Sequence, residues 1–159
     1  MNDITWIQPY YHILLGYIPQ KSKSVLDVGA GYGIFGFIIK KTRDVTLDCI
    51  EPFYTDLPHY NKVYRGTWNE VKLDRKYDVI VATEVIEHMN KDDALRFLDD
   101  VKIYGNRVII ATPKEFETQT MYDSNPYQAH KSVITKSEFE DHGYNVVELD
   151  RNLIGVCGN

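Results

Sequence analysis

A chain of 159 residues with a net charge of −5 has the length of one ordinary domain, enough to bury one core and hardly two. Its 43% hydrophobic and 26% charged composition is that of a globular chain without low-complexity tracts or a Gly/Ser/Pro-rich linker, so a single domain over residues 1–159 is expected. The lysines and arginines are scattered, which excludes the basic stripe that drives salt-sensitive binding to nucleic-acid phosphates.

Residues 1–20 lack a basic start and are broken by Gln8, Pro9, His12 and Gly16, so they read neither as a signal peptide nor as a membrane span, and a cytoplasmic location is expected. Apolar spacing predicts a helix over 4–17 that covers the site. Its Trp6, Tyr10, Tyr11 and Tyr17 suit packing on a sheet face, while Tyr10, Tyr11 and His12 are also placed to meet a ligand. A strand over 24–28 runs into a glycine-dense turn at 29–33 and an apolar helix over 34–40, whose Lys40, Lys41 and Arg43 read as a solvated end. Further strands are predicted over 45–51, 61–64, 77–83 and 107–111, with a helix over 92–103 between the last two; this alternation specifies a parallel sheet.

The 24 residues from 112 to 135 exceed what a simple connection needs and are rich in polar and aromatic groups, which predicts a substrate lid. Within it, Asn125-Pro126-Tyr127 reads as a packed turn. Thr135 and Glu138 then form a capping-box pattern opening a short helix that Gly143 stops. Strands over 144–149 and 153–157, joined by Asp150, Arg151 and Asn152, form a close and therefore antiparallel pair. Cys49 and Cys157 lie in apolar runs without metal-ligand spacing and read as reduced core residues.

The chemistry begins at Val25-Leu-Asp-Val-Gly-Ala-Gly-Tyr-Gly33, where a strand delivers Asp27 and then glycines at alternate positions. Gly29, Gly31 and Gly33 can take positive φ and let a ligand lie against bare backbone, with helix-start amides facing its anionic group. Asp27 can brace the turn and face a cation. Glu51 closes the second strand where a ribose diol would sit in a sheet of this topology. Gly31-Tyr-Gly-Ile-Phe-Gly36 also fits G-x-G-x-x-G, which opens an NAD-binding oxidoreductase reading; such an enzyme needs a second half for nicotinamide and substrate beyond the one sheet expected here.

These motifs, followed by Ile50-Glu51-Pro52 and by Tyr77-Asp-Val-Ile-Val-Ala-Thr-Glu-Val-Ile-Glu-His88, resemble in content and order those of the class I S-adenosylmethionine-dependent methyltransferase family, along essentially the whole chain. The resemblance implies a Rossmann-like, doubly wound α/β sheet of seven strands, mostly parallel with an antiparallel last strand. It implies that S-adenosylmethionine lies with its methionine part on Asp27, Gly29, Ala30, Gly31, Tyr32 and Gly33, its ribose by Glu51 and Pro52, its adenine by Thr67 and Trp68, and its sulfonium near Glu84. Many relatives carry an acidic residue at the position of Thr67, a departure in this chain.

The sulfonium makes the methyl group electrophilic, so the protein has to align a nucleophile and remove its proton. Glu84-Val-Ile-Glu87-His88 follows the fourth strand and resembles the Glu-x-x-Glu-His segment of ubiquinone-pathway O-methyltransferases and of terminal 2′-O-methyltransferases of small RNAs. That likeness implies catalytic roles for Glu84, Glu87, His88 and the later His130, and a divalent metal such as Mg²⁺ or Mn²⁺ held by these four. The alternative is structural: Glu84 and His88 orient the loop while Glu87 faces solvent or caps a short helix. The expected acceptor is an oxygen of a small molecule or of a nucleic-acid end, with a nitrogen of a nucleic acid or protein as the alternative, and no membrane partner is expected.

Overall fold

The computed structural model describes residues 8–120 and 124–158. The apolar run after Lys23 lacks polar alternation, as a strand covered on both faces should, and forms β1 (Ser24–Val28). β2 (Thr46–Glu51), β3 (Lys62–Arg65), β4 (Tyr77–Thr83) and β5 (Gly105–Pro113) lie parallel to it, with β1 paired to both β2 and β4. The chain closes with β6 (Asn145–Glu148) and β7 (Asn152–Gly158); β7 runs antiparallel to both β5 and β6. The resulting order, β3-β2-β1-β4-β5-β7-β6, reverses direction of progress between β1 and β4. A doubly wound sheet opens a crevice at that point, outside the carboxyl ends of the strands.

Among the described residues four α-helices cover the two faces. α1 (Tyr11–Tyr17) and α2 (Ile34–Thr42) pack Leu14, Phe35 and Ile39 against Val25, Leu47, Val79 and Ile109. On the opposite face α3 (Lys91–Tyr104) and α4 (Lys136–Asp141) set Phe97, Leu98 and Phe139 against Leu26, Ile80, Val108 and Ile110. Neighbouring strand residues thus serve opposite layers, Val79 and Val81 one and Ile80 and Ala82 the other, as period-two alternation requires. In α3 the buried positions Ala94, Phe97, Leu98 and Val101 make one stripe at helical spacing. Fully buried side chains such as Leu14, Ile39, Ile80 and Leu98 each contribute about 1.5–3 kcal/mol by leaving water.

Several boundaries differ from the sequence expectation. β5 begins at Gly105, directly after α3, and extends to Pro113 because β7 pairs with it from Arg107 to Pro113. α1 begins only at Tyr11: the Tyr10 carbonyl accepts from the amides of Ile13 and Leu14, so Tyr10 starts the helix rather than lying inside it. The remainder of the expected helix, with Trp6, lies outside the described residues. Cys49 is buried as expected, but Cys157 is only half-buried near the end of β7. Arg43 is more than a solvated helix end, since its guanidinium donates to the Leu15 carbonyl at 2.8 Å and ties α2 to α1. The capping box at Thr135 and Glu138 is formed, and Gly143 at φ 80° follows α4. Among the described residues no helix is long and apolar enough to cross a membrane.

Candidate active site

The turn after β1 is held by β2. The amides of Gly29 and Ala30 donate to the Ile50 carbonyl, and the Gly31 amide donates to Glu51 Oε2 at 2.8 Å. Glu51 Oε1 accepts from the amides of Phe53 and Tyr54, so one buried carboxylate clamps the turn and the start of the next loop together. A carboxylate offers about four acceptor positions, and three are taken, leaving about one for a ribose hydroxyl. The bracing expected of Asp27 therefore comes from Glu51, and the turn's amides at 29–31 face the protein rather than an anionic ligand.

Asp27 is fully buried and faces no cation among the described residues. Its Oδ2 accepts from the Tyr60 hydroxyl at 2.5 Å, while Oδ1 has no partner among the described residues. Burial pushes its carboxyl up to about 7, against the lowering effect of the Tyr60 hydrogen bond. Tyr60 also explains Gly36. A Cβ there would lie 2.1 Å from the Tyr60 hydroxyl, so the last glycine of G-x-G-x-x-G makes room for a ring of the protein and not for a dinucleotide.

The three turn glycines all have positive φ but differ in what they face. A Cβ on Gly29 would strike Val85 at 2.5 Å, and one on Gly33 would press on Leu57 and Tyr60. Of these three, only Gly31, φ 55°, has no described atom within 4 Å of where a Cβ would stand, so bare backbone there leaves room for a ligand.

Two cavities flank this point. One, about 240 Å³, is lined by Gly31, Glu51, Pro52, Thr67, Trp68 and Met89 among others. Thr67 donates its hydroxyl and amide to Glu70, and Trp68 stands edge-on to Phe97 and Tyr104, which fixes that wall. The other cavity, about 660 Å³, is lined by Ala30, Tyr32, Tyr10, Tyr11, Glu87 and His130 among others. Gly29, Gly31, Glu84, His88 and Gln128 belong to both. Gly33 lines neither, and His12 is exposed away from them.

Glu84 follows β4 in a left-handed backbone conformation, φ 53°, one of two such non-glycine residues among those described. That conformation is costly for a residue with a side chain, and the surroundings enforce it. The Glu84 amide donates across to the Ala111 carbonyl, the Tyr10 hydroxyl donates to Oε1, and Asn152 Nδ2 donates to the same oxygen at 2.9 Å. Glu87, in the short 3-10 helix Ile86–His88, is buried rather than facing solvent. Its Oε2 accepts from the Thr112 hydroxyl at 2.9 Å, and Oε1 has no partner among the described residues. Burial raises both carboxyls above their ordinary values, Glu87 well above, with the Glu84 charge beside it adding to the effect.

The expected four-residue metal set is not brought together as a unit. Ligand atoms of Glu87, His88 and His130 lie within 4.8 Å of one another; the Glu84 carboxylate adjoins Glu87 but falls outside that group, its Oε1 held by Tyr10 and Asn152. His88 Nδ1 lies 3.3 Å from the Ala129 carbonyl and His130 Nδ1 2.7 Å from the Glu117 carbonyl. A carbonyl only accepts, so each ring donates from Nδ1, which leaves Nε2 as the position a neutral ring offers to a ligand. Burial lowers His88 to about 4, so it is neutral at pH 7.

The 112–135 segment is tied to this centre by main-chain bonds. The Glu87 carbonyl accepts from the amides of Lys131 and Ser132, the His130 amide donates to Gln119, and Arg151 pairs with Glu117 at 2.6 Å. Asn125 caps the turn Pro126–Gln128 through the Tyr127 amide, but Tyr127 itself is exposed and lines the smaller cavity, so the turn forms without the packing expected of it. Sequence reasoning missed Tyr60, Thr112, Glu117 and Asn152. Only Tyr60 had a signal, the glycine at 36 that its ring requires.

Residues 7–149 match the family model described as a methyltransferase domain. The chain belongs to the methyltransferase family. Its sheet, with the antiparallel β7, is the class I S-adenosylmethionine-dependent fold. No curated protein matches the sequence. Among solved structures, this methyltransferase resembles the 1,6-didemethyltoxoflavin-N1-methyltransferase of Burkholderia thailandensis, solved with 1,6-didemethyltoxoflavin and S-adenosylhomocysteine. The TM-score is 0.70 at 13% identity over 94% of this chain and 76% of that one. A DhpI-SAM-HEP complex aligns at TM-score 0.72 and 14% identity over 99% of this chain and 90% of that one. PigF with SAH aligns at 0.72 and 15% identity over 98% of this chain, which spans only 56% of PigF.

Proposed function

We propose that the chain transfers the sulfonium methyl of S-adenosylmethionine to an acceptor oxygen, of a small molecule or of a nucleic-acid end. The cofactor takes the cavity between Gly31, Glu51 and Trp68, and the acceptor takes the larger cavity beside it. The observation that carries this reading is their junction: the two cavities meet over the open backbone of Gly31 and at Glu84 and His88.

Bound there, the cofactor supplies an electrophilic methyl group, and what remains for the protein is orientation and proton removal. Glu51 has room for one ribose hydroxyl, and the unpartnered Asp27 Oδ1 is a buried acceptor beneath the turn. Tyr10 and Asn152 hold Glu84 at the junction, where its carboxylate receives the acceptor's proton.

Glu87, His88 and His130 also fit a divalent ion. A buried carboxylate oxygen lacks a partner, and two imidazoles are fixed through Nδ1 to backbone carbonyls with Nε2 left for coordination. Such an ion would polarise the acceptor oxygen. Titration calorimetry tests both parts. S-adenosylhomocysteine should bind the wild type and lose at least tenfold in affinity on Gly31→Val; equal affinity would remove the cofactor assignment. Mn²⁺ should give heats that vanish in His88→Ala and His130→Ala, and unchanged heats would remove the ion. Incubation with methyl-labelled cofactor and host extract then reads which class of molecule takes up label.

A further inference from the structure

The walls of the acceptor cavity carry more information than its floor. The Tyr11 and Phe35 rings lie 4.7 Å apart at 31°, and Tyr32 and Tyr54 lie 4.2 Å apart at 38°; all four residues line the same cavity of about 660 Å³, Phe35 from the buried core behind Tyr11. That volume falls in the range of roughly 300–1,000 Å³ used by small-molecule sites. Rings presented in pairs favour a flat partner that can stack or meet them edge-on.

Charge narrows the choice further. Glu84, Glu87, Glu117 and Asp150 all line the cavity, whereas its single lysine or arginine among the described residues is Arg151. Arg151 is engaged by Glu117 at 2.6 Å. A nucleic-acid end brings phosphates that need uncommitted cations. Here such a ligand would meet carboxylates and an arginine already paired.

Resting on the methyl-transfer reading above, we propose that the acceptor is a flat, uncharged aromatic alcohol of small size, and that the Glu117–Arg151 pair turns away phosphate-bearing acceptors. In the reaction the aromatic hydroxyl gives up its proton to a carboxylate at the cavity floor. The oxygen lone pair forms the bond to the methyl carbon as the carbon–sulfur bond breaks with its electrons passing to sulfur, giving an aryl methyl ether and S-adenosylhomocysteine.

The test is calorimetry on the protein saturated with S-adenosylhomocysteine, using 2-naphthol, 2-naphthyl phosphate and decahydro-2-naphthol as probes. It is paired with transfer of labelled methyl to 2-naphthol and to a short single-stranded RNA. The aromatic alcohol should bind at least tenfold more tightly than either analogue and take the label. Tyr11→Leu, which keeps apolar bulk, should lose at least tenfold of the 2-naphthol affinity with S-adenosylhomocysteine affinity unchanged. Glu117→Gln should release Arg151 and strengthen 2-naphthyl phosphate binding at least fivefold. Comparable binding of the phosphate or of the saturated alcohol, or label in RNA and none in 2-naphthol, overturns the proposal while leaving methyl transfer standing. Absence of S-adenosylhomocysteine binding overturns both.

Discussion

Asp27 is the residue whose environment departs furthest from what its place in the motif implies. Its carboxyl is held up to about 7 by burial, against roughly 3.9 in an unfolded chain. An acid that holds its proton more tightly when folded favours the folded state at low pH. Stability from this group should therefore rise as pH falls from 8 toward 4, by up to roughly 4 kcal/mol. Urea unfolding across that span should show the slope in the wild type, and Asp27→Asn should reduce it, leaving the part that the raised Glu84 and Glu87 carboxyls contribute. Gly36→Ala places a methyl against the Tyr60 hydroxyl and should cost about 1–3 kcal/mol in the same measurement. Glu51→Ala leaves the Gly31, Phe53 and Tyr54 amides without their acceptor; each such loss costs about 1–3 kcal/mol where water cannot enter, and cofactor affinity should fall with stability.

Among the elements, the turn from β4 into the 3-10 helix Ile86–His88 gathers most of the chemistry proposed above, and it shows where sequence reading stops. The order of strands and helices was legible because buried parallel strands read as unbroken apolar runs and α3 as a stripe at helical spacing. The glycine turn and Glu51 were legible as a cluster, since both sit on consecutive elements. The partners of Glu84 were not: Tyr10 and Asn152 reach it from elements far away in sequence, and neither residue type stands out from its neighbours. The direction of Asp27 was misjudged for the same reason, because Tyr60 lies in an irregular loop without periodicity. Capping, by contrast, is local and was readable. Thr135→Ala should remove the bond to the Glu138 amide and cost about 1 kcal/mol, measured by thermal unfolding.

At the scale of the whole molecule, one sheet with two covered faces reverses its order between β1 and β4, and the crevice lies at that switch. A ligand that binds only the folded state adds about 2.7 kcal/mol at a hundredfold excess over Kd. For a domain of this size that corresponds to a rise in Tm of roughly 5–10 °C with S-adenosylhomocysteine, and an unchanged Tm would count against the cofactor site. The contact at Glu84 Oε1 has a further consequence. It joins residues 10 and 152, so the carboxylate at the cavity junction is held only once synthesis has passed the start of β7. On the proposed reading, a cut beside either residue would take from Glu84 one of its two side-chain donors, and methyl transfer would then report on the continuity of the chain at both places.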